Sequence, residues 1–382
     1  MGLKILHLSD SSLPDWRIEK AALSSKKAGH DVYFAGRPSS PSNRSVFEKI
    51  YLIEWNSRSR NKFPLYWHSL KKQMRRVFRE VNPDIIHAHN VFSAKMAKEI
   101  GGYPMVYDNH EYWSVYLKRQ LESINSNSLV TVDEKPSTKS KRLENKIRTR
   151  LKSRYVNLWS RQEELIVSTT PTITVSNTIV EDLKKIGSKV YLVPNYPIFD
   201  EVNWIRAPIY HEDLSSVYAG VEPTGNTRSI HRNIDGFIDL FDKYSIGKLA
   251  VLGWKNTSTQ NVDFLGYLGR REMYEQMQKH SVGIIPFKPH WSHIFISPNK
   301  AYEYAHAGLF VITSSSFVPI METLRDNCLA FKDYLDLKEK ILELSNDVDS
   351  MFKRRLQIYQ FARENLLWEK YESNIFEAYK NA

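Results

Sequence analysis

Residues 297–308, which read SPNKAYEYAHAG, combine the residue types that bind an anion with a carboxylate for hydroxyl groups. A loop that enters a helix near Asn299 directs free backbone N–H groups toward an anion, and Lys300 adds positive charge. Glu303 lies one turn inside the predicted helix, where its carboxylate accepts hydrogen bonds. The alternative is an ordinary surface helix with a solvated lysine and glutamate. We therefore treat this segment as a candidate binding site.

Two other groups of residues have some of the features of a metal site. His87 and His89 end a predicted strand, but two histidines without further ligands do not bind a metal, so structural or cleft-lining roles are favoured. Asp347 and Asp349 are spaced like a pair that holds a divalent ion. They lie in the late helical region with no strand before them, which favours a solvated helix end. We predict no metal ion.

Length and composition limit the class of protein. The chain has 382 residues, a formal net charge of +11 and a single cysteine, Cys328. This length predicts two α/β domains, and one cysteine cannot form an internal disulfide. With no secretory signal and no apolar run of ~20 residues, we expect a cytoplasmic globular protein, with peripheral binding to the inner face of a membrane as an open alternative. The charge leaves anionic lipid, nucleic acid and phosphorylated small molecules open as partners.

Strand-like and helix-like segments alternate through both halves of the chain, which predicts α/β architecture with two doubly wound Rossmann-like domains. Two prolines, Pro194 and Pro197, interrupt the alternation. We predict an N-terminal domain over residues 1–197, a linker over 198–212, a C-terminal domain over 213–364 and a final helix, 365–382, that returns to the first domain. Ligands bind beyond the carboxyl ends of such strands, so a cleft between the domains is the expected active site.

The segment 297–308 resembles the donor-site signature of the group 1 (family 4) glycosyltransferases, in which a loop leads into a helix that carries a glutamate and ends near a glycine. Shorter segments support the resemblance in the family's order: residues 15–20, 84–89, 107–111, 193–195, 262–266 and 284–287. Together they cover most of the chain, from about residue 4 to residue 368. The resemblance implies the two-domain GT-B fold.

The resemblance also implies which residues bind a nucleotide-sugar donor linked to UDP or GDP. The donor contacts at the start of the signature are Ser297, Pro298, Asn299 and Lys300. Glu303 matches the family glutamate that binds the ribose hydroxyls. Family members carry a second glutamate eight residues earlier, at the donor sugar, and that position is Phe295 here. The sugar contact is therefore unassigned, with Asn299 a candidate for part of the role.

Other implied site residues lie outside the signature. In the family, a loop after the first strand of the C-terminal domain provides basic groups for the diphosphate; Gly220 marks its start, and Arg228 and Arg232 are the candidates, with solvated loop charges as the alternative. His110 matches a family histidine near the reacting sugar, with a structural histidine as the alternative. Arg17, assigned to the first loop, is a candidate phosphate or acceptor contact.

The implied function is retaining transfer of a sugar to a glycan or lipid-linked acceptor, without a metal or other cofactor. No residue identifies itself as a carboxylate nucleophile, which favours front-face substitution over double displacement. Two alternatives are open: a nucleotide-sugar epimerase or hydrolase of the same fold, and a catalytically inactive protein that binds anionic lipid or nucleic acid. Nucleic acid is the weaker partner, since no recognised binding motif accompanies the charge.

A basic segment indicates an acceptor held at a membrane. Residues 135–154 include nine lysines and arginines but only one interior acidic residue, Glu144. The apolar residues Leu143, Ile147 and Leu151 recur every four residues. The segment can form a helix with an apolar stripe and basic flanks. A second basic cluster spans residues 71–79. The alternative is a solvated helix whose stripe packs on its own domain.

Overall fold

A computed structural model describes residues 2–38, 46–60, 64–130, 139–222 and 230–382 of the chain. Two compact units are present, one formed by Met1–Pro194 with Tyr371–Ala382 and the other by Asn195–Lys370. We refer to them as the first unit and the second unit. Each contains one sheet of parallel strands flanked by helices.

Within the residues described for it, the first unit contains seven strands and eight α-helices. The strands are β1 (Lys4–Ser12), β2 (Asp31–Arg37), β3 (Lys49–Leu52), β4 (Ile85–His89), β5 (Met105–Asn109), β6 (Thr172–Thr174) and β7 (Val190–Leu192). The helices are α1 (Trp16–Lys27), α2 (Ser57–Arg60), α3 (Pro64–Val81), α4 (Val91–Ile100), α5 (Trp113–Val130), α6 (Lys139–Val167), α7 (Asn177–Lys184) and α15 (Glu372–Lys380). The strand order is β3-β2-β1-β4-β5-β6-β7.

The second unit contains six strands and seven helices in the described residues. The strands are β8 (Ser215–Ala219), β9 (Lys248–Leu252), β10 (Val262–Gly266), β11 (Val282–Ile285), β12 (Phe310–Ser314) and β13 (Cys328–Phe331). The helices are α8 (Phe199–Val202), α9 (Phe237–Tyr244), α10 (Arg270–Met277), α11 (Asn299–His306), α12 (Val318–Leu324), α13 (Tyr334–Ser345) and α14 (Val348–Asn365). The strand order is β10-β9-β8-β11-β12-β13.

Both sheets reverse their strand order at the first strand of the unit. In the first unit β1 pairs with β2 on one side and β4 on the other, and in the second unit β8 lies between β9 and β11. Such a reversal opens a crevice at the carboxyl ends of the strands, because the following connections run to opposite faces of the sheet. The predicted α/β class, with two doubly wound sheets, is confirmed.

Glu163 of α6 fixes the connection between β5 and α5, which contains His110. This buried carboxylate accepts a hydrogen bond from the Tyr107 hydroxyl at 2.7 Å. It also accepts from the backbone N–H groups of Trp113 and Ser114, at 3.1 and 2.7 Å, at the start of α5. An acidic group at a helix N-terminus satisfies N–H groups that have no partner inside the helix. One side chain therefore joins the end of a strand to the start of the next helix.

Replacing Glu163 with alanine removes the acceptor of these three hydrogen bonds. Because a buried donor without an acceptor costs about 1–3 kcal/mol, we expect faster hydrogen exchange at the Trp113 and Ser114 amides and a lower unfolding temperature. Hydrogen exchange read by mass spectrometry and thermal unfolding measure the two effects. Glu164→Ala, at the exposed neighbouring position of α6, is the control and should change neither. Unaltered exchange in Glu163→Ala would contradict this role for Glu163.

Candidate active site

The reversal in the second sheet brings Gly220 and Lys300 together. Gly220 follows β8, and its N–H donates to the Leu252 carbonyl at 2.8 Å, which continues the pairing with β9. A Cβ atom at Gly220 would collide with the Tyr218 hydroxyl and lie 3.1 Å from Lys300 Nζ. Glycine is therefore needed here because the backbone approaches these two side chains closely.

Lys300 lies in the first turn of α11, and its amine packs against two aromatic rings. Its Nζ atom is 4.6 Å from the centre of the Tyr218 ring and 5.0 Å from that of Phe287. Burial of the amine, followed by repulsion from Arg232, lowers the pKa of Lys300 to about 7, although Glu303 acts in the opposite direction. The site thus holds a cation that is poorly compensated by its own surroundings, which favours an incoming anion.

The Glu303 carboxylate is held by Arg270, a residue that was not predicted. Glu303 is 8% exposed, and Arg270 Nη1 donates to its Oε1 atom at 2.6 Å. Arg270 also lies 3.6 Å from a carboxylate oxygen of buried Glu201, and its guanidinium is 5.2 Å from the centre of the Tyr274 ring. Two consecutive arginines at the start of polar helix α10 look like solvated charges in the sequence, so no local signal identified this pairing.

The remaining residues of the signature shape the start and the end of α11. Pro298 caps the helix, Asn299 is exposed, and the Ser297 hydroxyl lies 2.5 Å from the hydroxyl of Tyr302. At the other end, Gly308 has φ of +71°, and a Cβ atom there would lie 3.0 Å from Pro208. The glycine of the signature is therefore explained by backbone conformation and by close packing.

Two short 3₁₀ helices carry Arg232 and Phe295. Arg232 ends the turn Ile230–Arg232, where it is exposed, and its charge reaches Lys300. His293 Nε2 donates a hydrogen bond to the His231 carbonyl at 2.7 Å, which connects this turn to the second one, Trp291–Phe295. Phe295 is partly exposed and brings no carboxylate to the position where the family has a glutamate. Arg228 lies outside the described residues.

The carboxylate of Asp108, near the end of β5, lies close to both candidate site residues of the first unit, Arg17 and His110. Arg17 lies in the first turn of α1, not in the first loop as expected; it is 5% exposed and donates to Asp108 through Nε and Nη2 at 2.7–2.9 Å. Its Nη1 donates to the Val193 carbonyl at 2.9 Å. Burial alone raises the pKa of Asp108, but Arg17 and the neighbouring side chains of His87 and His89 hold that pKa well below its usual range.

Three buried histidines, His7, His87 and His89, form a stack beside this carboxylate. Their ring centres lie 4.4–5.3 Å apart, with interplanar angles of 12–26°. Because Asp108 is ionised, it accepts a hydrogen bond from the N–H group at His89 Nδ1, which leaves His89 Nε2 to accept a hydrogen bond from His7 Nδ1 at 3.0 Å. One ring nitrogen of each histidine lies within 4.8 Å of the others, but His7 Nδ1 and both ring nitrogens of His89 are already engaged in hydrogen bonds. The stack favours the structural role predicted for His87 and His89.

His110 follows β5 directly and is more accessible than the stack. Its Nδ1 atom lies 4.0 Å from Asp108, and its side chain is 18% exposed. Its ring centre is 6.4 Å from that of His89. The structure thus places His110 and Arg17 around one carboxylate in the first unit, and it places Gly220, Arg232, Lys300 and Glu303 together in the second. Their assignments to donor or acceptor stay predictions.

The comparisons with known proteins agree with the resemblance that the sequence indicates. Residues 21–196 match the sequence model of Glycosyltransferase Family 4. This chain is a glycosyltransferase. The predicted family and enzyme class are thereby confirmed. No curated protein matches the sequence of this glycosyltransferase.

Solved structures of similar fold extend over the whole glycosyltransferase. A sucrose-phosphate synthase from Thermosynechococcus elongatus superposes with a TM-score of 0.69 at 12% identity, covering 99% of this chain and 98% of that chain. Anabaena HepE in complex with UDP-glucose gives a TM-score of 0.66 at 10% identity, with all of both chains covered. A glycosyltransferase from Rickettsia africae gives 0.65 at 11% identity, covering 100% and 98%. These likenesses establish the GT-B fold.

Because its pKa is lowered to about 7, the half-buried Lys300 amine is expected to lose its proton near neutral pH. In protein labelled by reductive methylation with carbon-13, one lysine signal should titrate at about pH 7, whereas exposed lysines titrate at about 10.4. Lys300→Met should remove that signal. Lys279→Met, at an exposed position on the same unit, should leave it in place. If the signal lost in Lys300→Met titrated with the exposed lysines, the lowered pKa assigned to Lys300 would be wrong.

Proposed function

We propose that this glycosyltransferase moves a sugar from a UDP- or GDP-linked donor to a glycan or lipid-linked acceptor with retention of anomeric configuration. The observation that carries the proposal is the convergence of Gly220, Arg232, Lys300 and Glu303 at the strand reversal of the second sheet. A nucleotide-sugar needs cations for its diphosphate and a carboxylate for its ribose, and this group supplies both. The likeness to HepE, whose structure contains UDP-glucose, supports a UDP-linked donor.

Lys300, Arg232 and the start of α11 would bind the diphosphate. Negative charge grows on the leaving phosphate as the bond to the sugar breaks, and cations already in place stabilise it. A bound diphosphate also raises the pKa of the Lys300 amine, so donor binding itself completes the charge of the site. These groups provide the positive charge that a divalent ion supplies in other transferases, which supports a mechanism without a metal.

Glu303 would accept hydrogen bonds from the ribose hydroxyls, with Arg270 as its positioning residue. The bond from Arg270 engages one carboxylate oxygen, Oε1, and fixes the direction of the other. The nearby Glu201 carboxylate helps to retain the arginine. Arg270 thus limits the energetic cost of ionising Glu303 at a mostly buried position.

Front-face substitution accounts best for retention. The bond from the anomeric carbon to the phosphate oxygen breaks, the acceptor oxygen forms its bond on the same face, and the acceptor proton passes to the departing phosphate. Double displacement needs a free carboxylate at the sugar. Asp108, whose carboxylate lies 4.0 Å from His110 Nδ1, is buried and engaged by Arg17 and His89. His110 keeps its proposed role of contacting the donor sugar or positioning the acceptor.

A lipid-linked acceptor would bring the enzyme to a membrane as a peripheral protein, with no nucleic acid as a partner. Within the described residues, none of the helices has the length and apolar character needed to span a bilayer. Exposed basic residues on α3 and α6 of the first unit support an anionic surface as the setting for such an acceptor.

Transfer can be tested with a panel of UDP- and GDP-sugars, each incubated with and without a membrane lipid extract. We expect nucleotide release that depends on the extract, together with labelled lipid. Nucleotide release without any acceptor would instead support the epimerase or hydrolase alternative. If no donor binds, both enzymatic proposals are wrong.

Glu303→Ala should weaken binding of the preferred nucleotide-sugar by about tenfold or more, because the ribose loses a charge-assisted acceptor worth about 1.5–3 kcal/mol. Isothermal titration calorimetry measures the affinity, and circular dichroism checks the fold. Glu339→Ala, at an exposed position of α13, is the matched control and should bind normally. Normal donor affinity in Glu303→Ala would remove Glu303 from the site.

Arg270→Met should raise the donor KM by about tenfold while changing kcat less, because it misplaces a donor-binding carboxylate without touching the reacting atoms. Arg270→Lys should restore part of the affinity, since it returns the charge but not the directed bond. Arg271→Met is the control, because that neighbouring arginine is exposed and pairs with Glu275. Equal effects of the Arg270 and Arg271 substitutions would argue against a positioning role.

A further inference from the structure

One face of helix α6 leaves large apolar side chains in contact with solvent. Ile147, Leu151, Leu158 and Leu165 are between 42% and 60% exposed. At about 100° of rotation per residue these four positions fall within a sector of about 40°, and the row is about 27 Å long. The stripe that the sequence predicts at Ile147 and Leu151 therefore faces solvent, and it continues along the helix to Leu165.

Arginines form a second row beside the apolar one. Arg150, Arg154 and Arg161 are exposed and lie about 20–60° around the helix from Ile147, on one side of the leucines. In the described part of the chain these three arginines have no ion-pair partner. Glu164 is the only acidic residue among the exposed, described positions of α6 from 147 to 165. Lys135 lies outside the described residues, as do the side chains of residues 139–146 and 148.

The opposite face of α6 shows that the exposed row is not a misplaced core. Val156, Trp159, Glu163 and Ile166 are buried, and the Trp159 ring packs against Phe92 with ring centres 4.4 Å apart. The helix therefore has its own packing surface, and the leucine row is additional to it. A helix with apolar residues on two faces normally has a partner on each.

Helix α3 contacts the buried face of α6 and has exposed apolar and basic residues of its own. Its Trp67 ring packs against Trp159, the neighbour of Leu158, with ring centres 6.5 Å apart. Leu65, two residues earlier, is 84% exposed, which is the largest exposed fraction among the large apolar residues described. Further along α3 the exposed basic residues are Lys72, Arg75, Arg76 and Arg79. Positive charge and exposed apolar area thus occur together on the first unit.

We propose that the exposed face of α6 is a docking surface for an anionic lipid bilayer. Such a bilayer accommodates both rows at once, because its acyl region takes the leucines while its phosphates pair with the arginines. If the same face of a second copy docked here, the arginine rows of the two copies would repel each other. The proposed function supplies only the role of this surface, which is to hold the enzyme at a lipid-linked acceptor. The evidence for the surface itself comes from the exposed residues of α6.

Vesicle sedimentation of the full chain tests the docking surface. The protein should bind vesicles of phosphatidylcholine mixed with phosphatidylglycerol, should bind vesicles of phosphatidylcholine alone weakly, and should be released by salt. Leu151→Gln with Leu158→Gln, and separately Arg154→Gln with Arg161→Gln, should each weaken binding to the mixed vesicles by about tenfold or more.

Matched controls come from α13, α14 and the bend before α13 in the second unit. Leu335 and Leu342 are 57% and 42% exposed and lie seven residues apart like Leu151 and Leu158, so their double replacement by glutamine removes a similar apolar area. Lys332→Gln with Lys353→Gln removes two exposed charges in the same way. Both control pairs should leave vesicle binding unchanged.

Three outcomes would overturn the proposal: no binding to anionic vesicles, equal losses in the α6 and control pairs, or a dimer in solution that the Leu151 and Leu158 substitutions dissociate. The last outcome would assign the face to a second copy. Calorimetric donor affinity is measured on the same variants and should be normal. Failure of vesicle binding with intact donor binding therefore counts against the surface and not against sugar transfer.

Discussion

The candidate donor site depends on the position of β8 between β9 and β11 in a parallel sheet. Because the strand order reverses at β8, side chains from separate parts of the sequence meet at the carboxyl ends of β8 and β11. Gly220 follows one strand and Phe287 comes shortly after the other, and the Lys300 amine lies beside both. The Lys300 side chain is half-buried, and its amine packs against the rings of Tyr218 and Phe287.

Buried charge is compensated differently in the two units. In the first, Asp108 is ionised and paired with Arg17, and burial lowers the pKa of the adjacent histidines His7 and His89, that of His89 to about 4. In the second, Arg270 is shared by two carboxylates, while the Lys300 amine has only weak compensation. A satisfied charge network fixes geometry, whereas an undercompensated cation binds ligands. This difference supports a structural role for the Asp108 cluster and a binding role for Lys300.

Strands at the edges of the sheets are shorter or less buried than the central ones, and they are harder to predict from the sequence. Strands β3, β10 and β13 end their sheets, and their side chains are largely exposed or half-buried. Central strands such as β4 and β5 are buried throughout and read clearly. Arg17 was assigned to a loop, but Asp15 accepts hydrogen bonds from the Arg17 and Ile18 N–H groups and starts α1 one residue earlier.

By itself, the sequence determined the alternation of strands and helices and the signature around Glu303, because these follow from periodicity and short-range spacing. It also indicated a basic helix with an apolar stripe. Only the tertiary structure decided which face of α6 is covered, since that depends on where Trp159 packs. Likewise, Arg270 reaches Glu303 across 33 residues of sequence, and His7 reaches His89 across 82. Contacts at such separations are set by strand order and helix packing, which local sequence does not encode.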